Sequence, residues 1–413
     1  MINPIFEKLA KQYGCYLEPK ADATEFYNQC DISVTAILSQ RLATITLIDS
    51  NVNVVGSNKR SEKLNEMIQE FEEIKLQNAI EIALGTGDCL LKPYTDGKGI
   101  GISVLGSQDF AVGESIGDTI KSCFIKCDER KTKNHIYERV EYHYLEDGAL
   151  HIEQFAFKNS LQCKLEEAGW QYEDVVIPNV NQMCFGRIKC PTVNRKNINS
   201  INGVPITDGQ KIIIKNIIDS YRRFNSEMSD KEAMIFADKS LFTESGGVVS
   251  LPKRKLFQTV RSKNIDDALI KEYSPNIRSA ELIQGIEQNW RMLETACGLS
   301  NGVVTAPTTN FATATEIKTN LGMTFAYMQN LRKMIENGIN NLAYALDVIC
   351  NLNNITPLGA YEIVFDWSDS YVQDIATRAT LLLQGEAIGA IKKEEFRSLV
   401  MNEPISVAEE RLM

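Results

Sequence analysis

The chain has 413 residues, of which 44% are hydrophobic and 24% charged, a composition typical of a globular protein with two or three compact units. Its formal net charge is -10 and its pI is about 5.1, which excludes a surface that attracts DNA as a whole. No apolar run approaches the roughly 20 residues of a membrane span, and the N-terminus lacks a signal-peptide pattern, so we expect no membrane contact and a soluble protein made in the cytoplasm.

The N-terminal part of the chain predicts two helices. Asp22-Ala23-Thr24-Glu25 has the form of a capping box and predicts the start of the first helix, with an apolar face that extends to Leu42. A second helix is predicted from about Ser61 to Ala83. Its inward residues should be those that recur every three or four positions: Leu64, Met67, Ile68, Phe71 and Ile74.

Short strands are predicted from Asp88 to Ile188, where turn signals separate alternating runs. The clearest pair is His135–Leu145 and Leu150–Phe157, joined by Asp147-Gly148. This pattern predicts an antiparallel sheet packed with helices, and therefore an α+β fold.

The second half begins with a polar stretch, Asn194–Asn202, that marks a domain boundary. An apolar helix is predicted over Asp208–Asp230 and a small β module over Ala233–Ser274. A further helix is predicted over Asn276–Cys297, and Gly298 should end it. The face of this helix opposite its apolar stripe carries Arg278, Glu281, Gln288 and Thr295.

A flexible loop, Leu299–Phe311, precedes a second capping-box pattern. In it the Thr313 side chain would accept a hydrogen bond from an amide of the first helical turn, and the Glu316 side chain one from the Thr313 amide. A long helical pattern follows, with Gly322 and Gly338 as places where it could bend. The C-terminal part predicts one strand and two short helices, at about 361–367, 371–384 and 393–401.

No pattern in the chain predicts a catalytic, cofactor or metal site. The glycine clusters at Gly85 and Gly97 match neither phosphate-binding motif, and a hairpin turn accounts for the second. The ten cysteines include no C-x-x-C pair, so we expect reduced, mostly buried thiols. The histidines are expected at exposed cross-strand positions: His135, His143 and His151.

A basic cluster lies within the predicted β module and comprises Lys253, Arg254, Lys255, Arg261 and Lys263. Two interpretations remain open. The cluster is either a solvated loop surface or a contact with DNA phosphate or an acidic partner.

The order of these elements resembles the portal proteins of tailed bacteriophages. Local sequence strengthens the resemblance to the portals of long-tailed phages of Gram-positive hosts: Gly85, Gly87 and Lys92-Pro93-Tyr94 are similar to their wing. Cys297–Ser300 with Thr313–Ile317 is similar to their tunnel-loop region, and Ile363–Ser370 to their C-terminal strand and helix start. The match is weakest before Leu64 and in the Ala233–Ser274 module, and the chain ends at Met413, soon after a crown would begin.

The resemblance implies the portal fold with a short helical crown. The regions would be a wing (1–202), a stem helix (203–232), a clip (233–275), a second stem helix (276–298), a tunnel loop (299–312), a long helix with a wing strand (313–368) and the crown (369–413). It also implies a ring, usually of twelve subunits, at one capsid vertex of the virion, through which double-stranded DNA is packaged and ejected.

Further expectations follow from the resemblance. DNA would pass the tunnel-loop residues Asn301, Gly302, Thr305, Thr308, Thr309 and Asn310, and the basic cluster would make the clip contacts. Partners would be other copies of the chain, DNA without sequence preference, the terminase large subunit, the major capsid or scaffold protein and a head–tail adaptor. The alternatives are another ring-forming part of the virion, such as a baseplate or tail component, and a packaging enzyme; the missing Walker motif counts against a motor.

Overall fold

The computed structural model describes residues 3–28, 32–48, 50–95, 99–229, 234–238, 257–260, 270–273, 278–305, 322–367 and 392–393. The chain divides into two compact units. Unit 1 comprises Met1–Gly209 and Cys297–Met413, and unit 2 comprises Gln210–Ala296. Unit 2 is therefore an insertion in the sequence of unit 1.

The helices described in unit 1 are α1 (Pro4–Gln12), α2 (Val34–Thr46), α3 (Lys59–Phe71), α4 (Gln77–Thr86) and α7 (Gly322–Leu352). Its strands are β1 (Ser50–Val55), β2 (Asp88–Thr95), β3 (Ile100–Gly106), β4 (Phe110–Val112), β5 (Ser115–Ile116), β6 (Thr119–Ile120), β7 (Ser122–Lys131), β8 (Ile136–Glu146), β9 (Ala149–Lys158), β10 (Leu161–Cys163), β11 (Val175–Pro178), β12 (Gly186–Lys189) and β16 (Glu362–Trp367).

The architecture confirms the predicted α+β class. A sheet of six strands runs in the order β10-β9-β8-β7-β4, with β11 paired beside β10 on β9. One face packs on α1 through Phe124, Val140 and Phe157, and the other faces a second core around Cys123, Ile125 and Leu150. A three-stranded sheet, β12-β2-β3, and two pairs, β1-β16 and β5-β6, complete the described sheets of unit 1.

The hairpin predicted around Asp147-Gly148 is confirmed. Strands β8 and β9 pair antiparallel, from Tyr137 opposite Lys158 to Glu146 opposite Ala149. Asp147 and Gly148 both have positive φ, at 49° and 74°. A two-residue turn with both φ positive matches the twist of the strands, which is why this dipeptide fixes the register.

The first helix of the chain, α1, is absent from the sequence-based prediction although its signals are present. Asn3 caps it by accepting a hydrogen bond from the amide of Ile5, and Pro4 occupies the first turn. Ile5, Phe6 and Leu9 are buried against the sheet. The spacing of these three apolar residues would have identified the helix.

The predicted start of the next helix, at Asp22-Ala23-Thr24-Glu25, is wrong. That segment forms turns in which Asp22 accepts a hydrogen bond from the Thr24 amide, and α2 begins at Val34 after its N-cap, Ser33. The Glu25 carboxylate instead accepts from the amides of Val34 and Thr35, at 2.6 and 2.9 Å. An acceptor that is distant along the chain thus satisfies the free amides of the first turn.

The helix predicted over 61–83 is interrupted by one π-helical segment, Glu72–Leu76, between α3 and α4. The wider turn shifts the register of the side chains by one position. As a result Leu76 is fully buried, whereas Ile74, predicted to face inward, is 61% exposed.

The long helix α7 has 31 residues and is about 46 Å long. It packs on β12, where two glycines allow the backbones to approach closely. A Cβ at Gly186 would lie 2.3 Å from the carbonyl oxygen of Gly338, and a Cβ at Gly338 would lie 2.8 Å from Ile188 Cγ1. Gly338, predicted as a place for a bend, therefore serves close packing.

The described elements of unit 2 are helices α5 (Lys211–Ser229) and α6 (Ser279–Ala296) and three strands between them. The strands are β13 (Met234–Asp238), β14 (Phe257–Val260) and β15 (Ile270–Tyr273), in the order β14-β13-β15. Strand β13 is parallel to β14 and antiparallel to β15. In the described residues of both units, no helix combines the length and apolar character of a membrane span.

Candidate functional site

Helices α5 and α6 of unit 2 are joined by polar contacts along their length. Asn289 Nδ2 donates to Ser220 Oγ at 3.0 Å, and Trp290 Nε1 donates to the Tyr221 hydroxyl at 3.4 Å. Toward the strands, Arg278 forms an ion pair with Glu227. The middle of α6 contacts the middle of α5, and the residue before α6 contacts a residue near the end of α5, so the two helices lie side by side and antiparallel.

The residues of the predicted polar face of α6 are all exposed: Arg278, Glu281, Gln288 and Thr295. Arg278, just before the helix, nevertheless reaches Glu227 of α5. The same helix also exposes two large apolar side chains, Ile283 at 47% and Met292 at 48%. On α5, Ile212 is 78% and Met228 44% exposed. Exposed apolar residues on neighbouring helices are characteristic of a surface that another protein covers.

A basic stripe on α5 was missed by the sequence analysis. It comprises Lys211, Lys215 and Arg222, all exposed. Separations of four and seven residues place them on one side of the helix. Arg222 also pairs with Asp219 at 3.3 Å, which moderates the charge. The helical spacing of these three residues was the available signal.

The segment after α6 is hydrogen-bonded to the beginning of the described part of α7. Gly298 has a φ of 75° and follows the helix end, as predicted. Ser300 and Thr324 then bond reciprocally: the Ser300 amide donates to Thr324 Oγ1 at 2.9 Å, and the Thr324 amide donates to Ser300 Oγ at 3.4 Å. Both residues are buried, and Leu299 is fully enclosed beside them. We call this pair of bonds the loop clamp.

Of the predicted tunnel-loop residues, three lie in the described part. Asn301 is exposed, Thr305 is half-buried, and Gly302 has a φ of 108°, which favours glycine. The remaining predicted site residues lie outside the described ranges: Thr308, Thr309 and Asn310, the capping pair Thr313 and Glu316, and the basic cluster Lys253, Arg254, Lys255, Arg261 and Lys263. So do the predicted short helices at 371–384 and 393–401, apart from residue 393.

The prediction that all three histidines are exposed is wrong for His143, which is 2% exposed between two sheets. Its Nε2 lies 2.8 Å from Glu141 Oε2, and the same carboxylate receives Lys92 at 2.7 Å and Arg139 at 2.6 Å. His143 lies on the core-facing side of β8. Alternation in the sequence shows which residues share a face of a strand, but the strand register decides which of the two faces is buried.

The buried network has defined charge states. Burial alone would raise the pKa of Glu141, but Lys92, the hydrogen bond from His143 and Arg139 outweigh it and hold that pKa well below its ordinary value. Burial lowers the pKa of His143, against the opposing hydrogen bond to Glu141. A neutral imidazole beside a carboxylate must carry its proton on Nε2. The charges of the network are paired with one another, although the buried His143 Nδ1 has no hydrogen-bond partner among the described residues. We assign the network to stability.

The described cysteines are all free thiols. Burial raises the pKa of Cys123 and of Cys184 to about 12 in each case, which removes the thiolate that nucleophilic or metal-binding cysteines need. Among the described residues, no three His, Cys, Asp or Glu side chains are grouped in a way that would hold a metal ion.

Comparison with known proteins yields likenesses among solved structures alone. No family model matches the chain, and no curated protein matches it. Among solved structures, the chain is similar to one described as the neck of a native GTA particle computed with C12 symmetry, with 12% sequence identity and a TM-score of 0.41. The alignment covers 90% of this chain and 89% of that chain. A likeness of this size carries no argument about function.

Proposed function

We propose that the protein is a portal subunit, which assembles into a ring at one vertex of a phage capsid. The ring forms the channel through which double-stranded DNA is packaged and later ejected. In this proposal α5 and α6 line the channel, the strands between them face the terminase large subunit and then a head–tail adaptor, and unit 1 contacts neighbouring copies and the capsid or scaffold protein.

The observation that carries the proposal is the insertion of unit 2 within unit 1. The chain leaves unit 1 after Gly209, forms in its described residues a helix, three strands and a helix, and returns at Cys297. Ser300, just after α6, is bonded to Thr324 of the long helix α7. This order is the one on which the sequence resemblance to portal proteins rests, and α6, with 18 residues, is about 27 Å long, enough for a channel wall.

The exposed surface of the helix pair supports a ring. Closed rotational symmetry produces an interface between two different faces of the subunit, so apolar residues exposed on one copy are covered by the next. Ile212, Met228, Ile283 and Met292 are available for such contacts. With twelve copies the formal charge would be 12 × -10 = -120, which would disfavour tight adhesion of DNA to the channel.

The size and shape of the purified protein test this proposal. Light scattering coupled to size-exclusion chromatography should give an assembly of about ten or more subunits, and negative-stain images should show a central hole. A protein that stays monomeric at micromolar concentration and shows no hole would refute the proposal.

The predicted tunnel loop, Leu299–Phe311, provides a second test. Deleting Thr305–Thr309 should leave the ring intact while packaging or retention of DNA declines, since in this proposal the shortened loop would no longer reach the DNA. A replacement of the same five positions by Gly and Ser preserves the length and serves as the control. Normal packaging and retention by the deletion variant would show that the loop only connects two helices.

The proposed role includes no catalytic step. Hydrolysis of ATP by the purified protein should therefore remain at background, because no phosphate-cradling glycine loop is present in the sequence. An ATPase that survives repurification and that disappears when one residue of this chain is changed would favour a packaging enzyme instead.

A further inference from the structure

Unit 1 contains an open groove of about 700 Å³ between the end of β12 and one side of α7. Amide side chains from both sides line it, among them Gln182, Asn194, Asn337 and Asn341. At its floor lies Lys189, the last residue of β12. The volume is in the range of sites that bind ligands or peptide segments, and the lining is rich in hydrogen-bond donors.

Lys189 differs from its neighbour on the same face of the strand, Arg187. Arg187 donates to Asp88 Oδ1 at 2.7 and 3.1 Å and to the carbonyl oxygen of Ile201, so its charge is offset by a buried carboxylate. Lys189 lies opposite Asp88 in the β12–β2 register, but the described residues give it no hydrogen bond and no carboxylate within the 4.0 Å of an ion pair. Burial lowers the pKa of Lys189 and Arg187 adds to the effect, while the more distant carboxylates of Asp88, Asp118 and Glu18 oppose it. Because burial outweighs these three carboxylates, a carboxylate in direct contact would stabilise the cation further.

The rim of the groove restricts what can enter it. Val193 is 61% and Ile198 80% exposed, so the groove offers apolar contacts beside its polar floor. Asp118 also lines the groove, and its charge opposes a run of several phosphates more strongly than it opposes one carboxylate. A polypeptide segment with one acidic and one apolar side chain therefore matches the lining better than nucleic acid, which offers no apolar side chain and brings several negative charges.

We propose that the groove receives a segment from a neighbouring copy of this chain, and that an Asp or Glu of that segment pairs with Lys189. The inference rests on the ring proposed above. A copy of the chain is the occupant that charge complementarity favours, since its 54 acidic residues outnumber its 44 Lys and Arg. In a ring the two faces that meet are different, so the groove of each copy is opposite a different surface of the next.

A zero-length carbodiimide cross-link tests the pairing directly, because it joins an amine only to a carboxylate in contact with it. Rings are assembled from a mixture of unlabelled and ¹⁵N-labelled protein, treated and digested. We expect Lys189 to be linked to an Asp or Glu peptide, with half-labelled pairs present because the partners come from different copies. Lys189→Arg, which keeps the charge but has no reactive amine, should form rings and lose this product alone.

Charge reversal provides a second measurement. Lys189→Glu should raise the concentration needed for ring assembly on the order of tenfold or more, because two carboxylates would then face each other. Lys133→Glu, the same change at an exposed position in the turn after β7, is the control and should assemble as the parent does. Circular dichroism and the melting temperature of each variant show whether it is folded.

The outcomes separate the inference from the proposed function. If rings form but Lys189 yields no cross-link, or only links within one copy, or if Lys189→Glu assembles like the parent, the inference is refuted and the ring stands. Loss of the cross-link on adding short duplex DNA to intact rings would assign the groove to phosphate and also refute it. A parent protein that forms no ring refutes the proposed function itself.

Discussion

Replacing Arg60 by methionine removes a guanidinium that joins three parts of unit 1. Arg60 lies in the first turn of α3 and is 1% exposed. It donates to the carbonyl oxygen and the carboxylate of Asp347 at 2.9 Å each, and to Asn351 Oδ1 at 2.6 Å, all near the end of α7. Two further bonds reach the carbonyl oxygens of Thr356 and Pro357, which lead to β16.

The expected loss of stability follows from these five bonds. Methionine keeps most of the apolar stem, so little packing is lost. The acceptors are left without a donor, and one buried ion pair is broken, which costs roughly 3–5 kcal/mol. The Asp347 side chain is 21% exposed, so water can reach that carboxylate, and we expect a value near the lower limit, about 3 kcal/mol.

Urea unfolding followed by far-ultraviolet circular dichroism measures this loss at a fixed protein concentration. With an m value of about 3 kcal/mol per molar urea, the midpoint should fall by about 1 M. Arg41→Met, at an exposed position of α2, is the control and should change stability by no more than about 0.5 kcal/mol. A decrease below about 1 kcal/mol for Arg60→Met, at an unchanged m value, would refute the reasoning and show that water replaces the guanidinium.

Three other changes have defined outcomes. Gly338→Ala should destabilise unit 1 by roughly 1–3 kcal/mol in urea unfolding, because the cost of overpacking against β12 exceeds the gain of about 1 kcal/mol in helix propensity. The control is Gly285→Ala, where a Cβ meets nothing within 4 Å and no destabilisation is expected. Equal effects of the two substitutions would contradict this. The folded state lowers the pKa of both His143 and Glu141. The free energy of unfolding should therefore decrease as the pH falls below about 6.5, where the histidine of the unfolded chain gains a proton, and again below about 4.5, where the carboxylate does. His143→Gln should flatten the first decrease, and an unchanged dependence of the free energy of unfolding on pH in that variant would refute the assignment. Replacing all five residues of the basic cluster by Ala or Gln should lower the binding of DNA or of the motor, most strongly at low salt. The slope of log binding constant against log salt concentration should decrease by about 0.9 for each phosphate that is no longer neutralised. Unaltered binding would identify the cluster as a solvated surface.

The sequence by itself determined the features that depend on neighbouring residues. The β8–β9 hairpin was predictable because Asp147 and Gly148 can adopt the positive φ that a two-residue turn requires. Helices α5 and α6 were predictable from apolar residues at helical spacing, and the end of α6 from Gly298. In each of these cases the structure is stabilised mainly by interactions between residues that are close in the sequence, so the sequence pattern predicts it correctly.

Only the tertiary structure decided the features that depend on distant residues. The pairing of β1 with β16 joins Val52 to Phe365, and β1 was not predicted because a short strand has little stability without its partner. The start of α2 was decided by Glu25 reaching its first turn from outside the helix. Arg187 and Lys189 show the same dependence. Both lie on one face of β12, and Asp88 of the neighbouring strand β2 lies opposite Lys189, but the Asp88 carboxylate forms its ion pair with Arg187. Contacts between residues far apart in the sequence determine these features, so a local sequence pattern does not predict them.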